Sequence, residues 1–354
     1  MKKIIILLLG LSLTAASCDL GGLIDLGGGG VRGVLKSEDN GETFKPAEKL
    51  ANKGDISTVT ANSLAFDPST PDTLYMAASG GIYKSTDGAK TWRYILSNIS
   101  VADIGIDLYQ PNVIYAAGIV GQNGKIIKSL DGGTSWVDVY TEPSKNNTVS
   151  AVAVSPGNSS IVLAGLATGE IIRSFDGGHT WQSSKDLADR IIRIKFGPSG
   201  SAYALTVHKG IFRSSDLGVG WDLISGSLSG SSFSSANQAP TSVTVFYDLA
   251  LDRRQTGVLY LGTEQGLFRS VDDGNSWAFL SFPVKNASLR ASAVAVDPNN
   301  SNSLFAAVSS TIFKSSNGGV TWETKILPTA AGVRSILINP QTNNVIYLGL
   351  GPGQ

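Results

Sequence analysis

The sequence predicts an all-β protein, a seven-bladed β-propeller with four-stranded antiparallel blades, closed by pairing N- and C-terminal strands in one blade. Three observations predict it. One short pattern recurs seven times: Ser, any residue, Asp or Asn, a Gly-rich turn, a small residue and an aromatic. The copies read SEDNGETF (37–44), STDGAKTW (85–92), SLDGGTSW (129–136), SFDGGHTW (174–181), SSDLGVGW (214–221), SVDDGNSW (270–277) and SSNGGVTW (315–322). Successive serines lie 48, 44, 45, 40, 56 and 45 residues apart, which suits a propeller blade of about 40–50 residues better than a solenoid helix pair. Past the seventh copy the chain holds two more strand signals, 334–340 (RSILINP) and 345–348 (VIYL), while residues 33–44 carry the other two of a unit. The two half-blades complete one another, giving seven blades and not six or eight.

Each unit has the same parts in order. In the first they are residues 63–66, an Asp67-Pro68 turn, 74–78, a Gly80-Gly81 turn, 82–85, an Asp87-Gly88 turn and 92–96. β-Branched and aromatic runs punctuated by Gly, Pro, Asn and Asp are strands. The third turn carries Asp39, Asp87, Asp131, Asp176, Asp216, Asp272 or Asn317. Its carboxylate can accept hydrogen bonds from amides of its own hairpin, Gly supplies the positive φ, and the following Trp packs on the neighbouring repeat. These residues serve the fold; a calcium loop needs several more oxygen ligands at close spacing. Four strands cannot bury both faces alone, so the repeats stack radially with the first strand innermost.

Composition narrows the function classes. The 354 residues are 42% hydrophobic, with 28 basic and 28 acidic side chains. A propeller takes this length as one unit. Zero formal charge and no basic stretch give nucleic-acid binding no electrostatic support. Two distant histidines, His179 and His208, do not make a histidine metal centre; no metal and no cofactor is expected.

Residues 1–17 (MKKIIILLLGLSLTAAS) read as a secretory signal too short to span a bilayer. Losing Lys2 and Lys3 leaves 26 basic against 28 acidic residues, about −2. The sole cysteine, Cys18, follows Ala15-Ala16-Ser17 and excludes an internal disulfide framework. Residues 18–32, with a run of four glycines, read as a flexible tether. The propeller occupies 33–354.

Candidate binding residues come from the inner strands and from insertions on the face opposite the repeated turns. The longest insertion, 225–240 (SGSLSGSSFSSANQAP), is a mobile flap or a neutral solvated loop; a second extended loop spans 119–124. Aligned on their closing turns, the inner strands share a column of Ser63, Asp103, Ala151, Arg193, Asp248, Ala293 and Ser335, with Lys195, Tyr247 and Arg334 beside it. Charges on strands otherwise made of Ala, Val, Ile and Leu either face a wet channel or pair with each other. The candidate ligand- or partner-binding residues are Asp103, Arg193, Lys195, Tyr247, Asp248 and Arg334. A basic residue also precedes every repeat serine: Lys36, Lys84, Lys128, Arg173, Arg213, Arg269 and Lys314. They are expected to lay their stems over the repeat Trp with their heads in water, or to form a positive ring.

The repeated S-x-D-x-G-x-[TS]-W resembles the Asp-box (BNR) repeats of sialidases, family 74 glycoside hydrolases, sortilin-type receptors and photosystem II stability/assembly factors. The motif identifies the blade and is nearly silent on activity. Ala15 to Cys18 resemble a bacterial lipobox, which implies a diacylated Cys18, an extracytoplasmic location and membrane contact through the N-terminal lipid alone; the other reading is an ordinary cleaved signal. Sialidases resemble six-bladed rings and sortilin-type receptors ten-bladed ones, whereas the assembly factors resemble a single seven-bladed ring. The Phe/Tyr-Arg-Ile-Pro of sialidases is replaced by Val31-Arg32-Gly33, and Ser79 stands where the catalytic Asp of family 74 enzymes would fall. The resemblance therefore implies a monomeric, non-catalytic scaffold with a protein partner. The alternative is a glycan-binding protein or glycoside hydrolase, for which Asp103 with Asp248 is the inner-strand carboxylate pair.

Overall fold

The computed structural model describes residues 32–228, 243–284 and 289–352. The signal at 1–17, Cys18, all of the tether but Arg32, and the insertion from 229 onwards lie outside the described residues. Seven four-stranded antiparallel sheets form the blades. Their inner strands are Ala61–Phe66, Ser100–Ile106, Val149–Val154, Ile191–Phe196, Phe246–Leu251, Ala291–Asp297 and Gly332–Ile338. The seventh blade is composite: Gly332–Ile338 and Ile346–Gly351 are followed in the sheet by Gly33–Ser37 and Lys45–Pro46. Val34 faces Gly349 and Lys36 faces Tyr347 across the closing ladder. The ring has seven blades.

Second strands such as Leu74–Ala78, Val162–Leu166 and Leu259–Thr263 are buried at every residue. They are covered on both faces by adjoining blades, so their sequences run apolar without alternation. Outer strands such as Gln182–Asp186 are largely exposed and polar. The aromatic closing each repeat packs on the preceding blade: Trp92 with Val34 and Ala47, Trp136 with Tyr75 and Ile95, Trp277 with Tyr203. Burying a ring of this size removes roughly 200 Å² from water, about 5 kcal/mol before entropy is charged against it.

The repeated turn is held by its own side chains. In the third blade Ser174 Oγ donates to Asp176 Oδ1 (2.7 Å) and accepts from the Gly178 amide (2.8 Å). Asp176 also accepts from the Thr180 amide (2.9 Å) and hydroxyl (2.6 Å). In the sixth blade Asn317 Oδ1 accepts the Thr321 amide and Nδ2 donates to its hydroxyl.

Two expectations are corrected. The 119–124 segment is no loop: strands Ile114–Val120 and Asn123–Ser129 run on to a Gly121-Gln122 turn, with Gly121 at φ 59°. The basic residues before the repeat serines do not lie over the Trp with heads in water. Lys84 and Lys128 lie over Tyr75 and Tyr115 of their own blades (5.1 Å each). Their ammonium groups donate to the Gly132 and Gly177 carbonyls in the next blade's turn (2.9 and 2.7 Å), and Arg173 does the same to Gly218 (3.1 Å). A main-chain carbonyl with no strand partner attracts a cation more strongly than an indole face already buried against another sheet.

Candidate functional site

Every inner strand breaks register near its start, after its first or second paired residue: 61/63, 101/103, 149/151, 191/193, 246/248, 291/293 and 333/335. A bulge places two residues opposite one and re-aims the side chains after it. Asn62, Ser150 and Ser292 sit at bulges and donate to the next inner strand at Val101 (2.7 Å), Ile191 (2.6 Å) and Val333 (2.8 Å). They tie the ring together at one level, and reasoning from the sequence passed over them. Their recurrence just before the aligned column was the available signal.

Asp103 and Asp248 make the same kind of tie. Asp103 Oδ2 accepts the Val152 amide (3.2 Å), and Asp248 Oδ2 the Val294 amide (3.0 Å). The other Asp248 oxygen accepts Arg193 Nε (3.1 Å). Arg193, in the fourth blade, also donates to its neighbour Ile192 (2.9 Å) and across the axis to the carbonyl of Arg334 in the seventh blade (3.3 Å). One guanidinium thus spans the channel. Two residues deeper, Lys195 Nζ donates to the Leu249 carbonyl (2.5 Å). Of the six candidates, Asp103, Arg193, Lys195 and Asp248 therefore meet at the axis; Arg334 joins them through its carbonyl, while its side chain lies against Gly351. Tyr247 stands at the rim beneath the guanidinium of Arg290, 5.3 Å from its ring.

The electrostatics follow from burial. Asp103 is raised above the usual carboxylate range by loss of water, with nearby Arg193 pulling it back. Lys195 is lowered by burial. Arg334 is lowered by burial, then by the like charges of Arg193 and Arg32, and its Nε is buried without a hydrogen-bond partner, as is Ser335 Oγ. Arg32 and Arg290 are further cations of the rim that the sequence reading did not nominate. No group of His, Cys, Asp and Glu among the described residues could hold a metal ion.

No family model matches the chain. A xyloglucanase of Hypocrea jecorina is 30% identical over 106 residues, 29% of this chain and 12% of the enzyme. The GH74 enzyme of Niastella koreensis superposes with a TM-score of 0.64 at 19% identity, over 83% of this chain and 51% of that one. YCF48 bound to a D1 peptide superposes with a TM-score of 0.61 at 16% identity, over 83% of this chain and 93% of that one. The chain thus spans about half of the solved GH74 enzyme and a small part of the curated xyloglucanase. At these identities the solved structures show the fold alone: this chain shares the propeller of both YCF48 and a GH74 enzyme.

Proposed function

We propose that the chain is a non-catalytic propeller that binds a protein partner at the channel rim, held outside the cytoplasm by a lipid on Cys18. The observation that carries this reading is the state of the inner-strand carboxylates. A glycosidase needs two carboxyl groups about 5–9 Å apart and free to face the sugar. Here both Asp248 oxygens are occupied, by Arg193 and by the Val294 amide, and Asp103 is bonded to the Val152 amide. Each acid is engaged in joining two blades. Support also comes from the whole-ring match to YCF48, whose solved partner is a peptide. Around the axis Arg193, Lys195, Arg334 and Arg32 outnumber Asp103 and Asp248, so the segment bound there should carry carboxylates.

The test is capture from the native envelope on immobilised protein, with Arg334→Glu and Arg290→Ala run in parallel. A protein retained by the unaltered chain and lost on both variants supports the reading; retention unaffected by either overturns it. The xyloglucanase similarity motivates the second reading, a glycan-cleaving protein. Turnover of xyloglucan or sialosides that disappears in Asp103→Asn or Asp248→Asn would establish it. The anchor is tested separately by labelled palmitate, which should be incorporated into the unaltered protein and not into Cys18→Ser.

A further inference from the structure

The outer edge of the first blade already accepts part of a fifth strand. Elsewhere the edge is blunted: the fourth and seventh blades end in two-residue outer strands, Asp222–Leu223 and Lys45–Pro46, and Pro143 interrupts Val137–Lys145 of the second. The first blade's outer strand, Arg93–Ser97, carries no proline. Just ahead of it, the connection from Lys45–Pro46 to the first inner strand runs parallel to the edge at one bridge, Leu50 to Trp92. There the Trp92 amide donates to the Lys49 carbonyl (2.8 Å) and the Ala51 amide to the Trp92 carbonyl (2.9 Å). The connection then leaves the edge in a turn closed by the Leu50 amide on the Gly54 carbonyl (3.0 Å), with Lys53 at φ 96°.

Successive residues of a strand aim their amide and carbonyl to alternate sides. Trp92 aims both at the connection and Arg93 pairs inward with Lys84, so Tyr94 aims outward again. By that point the connection has turned away, and a concavity of about 340 Å³ stands in its place, walled by Leu50, Asn52, Lys53, Trp92, Arg93 and Tyr94. The ladder behind it shifts register past Tyr94, which confines the open track to this end of the strand. Tyr94 is 48% exposed, its ring backed by that of Tyr83 at 4.8 Å. Lys53 and Arg93 are exposed, and among the described residues neither enters an ion pair. No carboxylate stands on the walls, and Asp55 of the connection is held by the Ser57 amide (3.0 Å).

We propose that this groove takes an extended acidic segment of a partner protein, which continues along Tyr94 the fifth strand that Lys49 to Ala51 begin. The outward amide and carbonyl of Tyr94 call for a strand backbone. Two cations with no acid beside them call for carboxylates on that strand, and the half-exposed Tyr94 ring offers an apolar side chain a surface between them. The site lies on the flank of the ring, so its occupation neither requires nor replaces binding at the channel rim.

Titration calorimetry of the full chain at low salt tests the idea with a short peptide of alternating Glu and Val, its alternating Lys and Val counterpart, and the Glu and Val peptide N-methylated either at every Glu or at every Val. The Glu and Val peptide should bind and the Lys and Val peptide should not. One of the two N-methylated forms, the one whose amides face the edge, should bind about tenfold more weakly or worse. Both binding as well as the parent would show attraction of charge without a ladder and overturn strand addition. Arg93→Ala and Lys53→Ala should each weaken the parent peptide about tenfold, with thermal melting unaltered because both side chains are exposed. Lys185→Ala, exposed on the third blade's outer strand, should leave binding as it is. Hydrogen exchange at the Tyr94 amide should slow when the peptide is bound. Heats unchanged in the Arg93→Ala, Lys53→Ala double variant, or absent at millimolar peptide, would overturn the proposal. So would polygalacturonate binding with the same dependence on Arg93 where the peptide does not bind, an outcome that assigns the groove to an acidic glycan.

Discussion

Lys84 and Gly132 are joined across the first seam of the ring, the ammonium of one lying 2.9 Å from the carbonyl of the other. Tyr75 donates to the same carbonyl (3.1 Å), and the trio recurs one blade on in Lys128, Tyr115 and Gly177. Two donors from one blade therefore capture one acceptor in the next. Burial lowers the Lys84 pKa and raises that of Tyr75 to about 12, so at neutral pH both remain donors.

The two donors should be energetically coupled. Lys84→Met alone should cost about 1.5–3 kcal/mol and Tyr75→Phe about 1 kcal/mol in chemical denaturation. The double variant should fall short of the sum or exceed it by more than about 0.5 kcal/mol. Strict additivity would mean that the two bonds act independently and would count against the coupling.

The repeats were legible because their chemistry is local. Ser174, Asp176, Gly178 and Thr180 satisfy one another within seven residues, so the turn can be read without knowing the fold. The inner-strand column was legible for a related reason: each strand ends at a turn that fixes its register, and aligning those turns brought Asp103, Arg193 and Asp248 to one level. Which acid Arg193 would choose was not legible, because Asp248 lies 55 residues away and the choice depends on the pitch between blades. The destination of Lys84, Lys128 and Arg173 was missed because their partner is a main-chain carbonyl, invisible in a residue pattern. The tyrosines beneath them, Tyr75, Tyr115, Tyr203, Tyr260 and Tyr347, recur at one position of the second strand and were the usable clue.

Removing Asp248 should be worse than removing its pair. Asp248→Ala leaves Arg193 uncompensated and frees the Val294 amide. Loss of a buried partner costs about 3–5 kcal/mol; Arg193 retains 22% exposure, which places this case at the lower end. Arg193→Met with Asp248→Leu should recover most of the loss, as measured by denaturant midpoints. A double variant as unstable as Asp248→Ala would show that the Val294 tie, and not the ion pair, dominates.

Acid should weaken the turns before the core. Hydroxyls and then amides of Thr43, Ser135, Thr180 and Ser276 hold Asp39, Asp131, Asp176 and Asp272 below the usual carboxylate range, Asp131 at about 2. A depressed folded pKa contributes stability that is present above the unfolded value near 4 and lost as pH falls through the folded one. Melting temperature should therefore decline between about pH 4 and pH 2. Asp103, raised by burial, acts in the opposite sense at higher pH: the stability it gains on acidification is largely in place by the unfolded value near 4, before the turns begin to lose theirs. Asp176→Asn should retain the turn, as Asn317 does in the sixth blade, and should flatten the pH profile; an unchanged slope would count against the turns as the acid-sensitive element.

The same turn position should respond differently to alanine in adjacent blades. Ala89 occupies in the first blade the place of Gly133 in the second, at φ 64°, inside the left-handed well that an L-residue can reach. Gly133 sits at φ 91°, and a Cβ there would lie 2.7 Å from Ile95 Cδ1. Gly133→Ala should therefore combine backbone strain of about 1 kcal/mol or more with displacement of a side chain packed against Trp136. Ala89→Gly relieves less strain, and offsets it with lost burial of one methyl, about 0.8 kcal/mol, and a more flexible unfolded chain. Denaturation of the two variants should show a loss of about 2 kcal/mol for Gly133→Ala and a change within about 0.5 kcal/mol for Ala89→Gly. Equal effects would mean that the neighbouring side chains, rather than the turn's own dihedral, decide which residue each blade accepts.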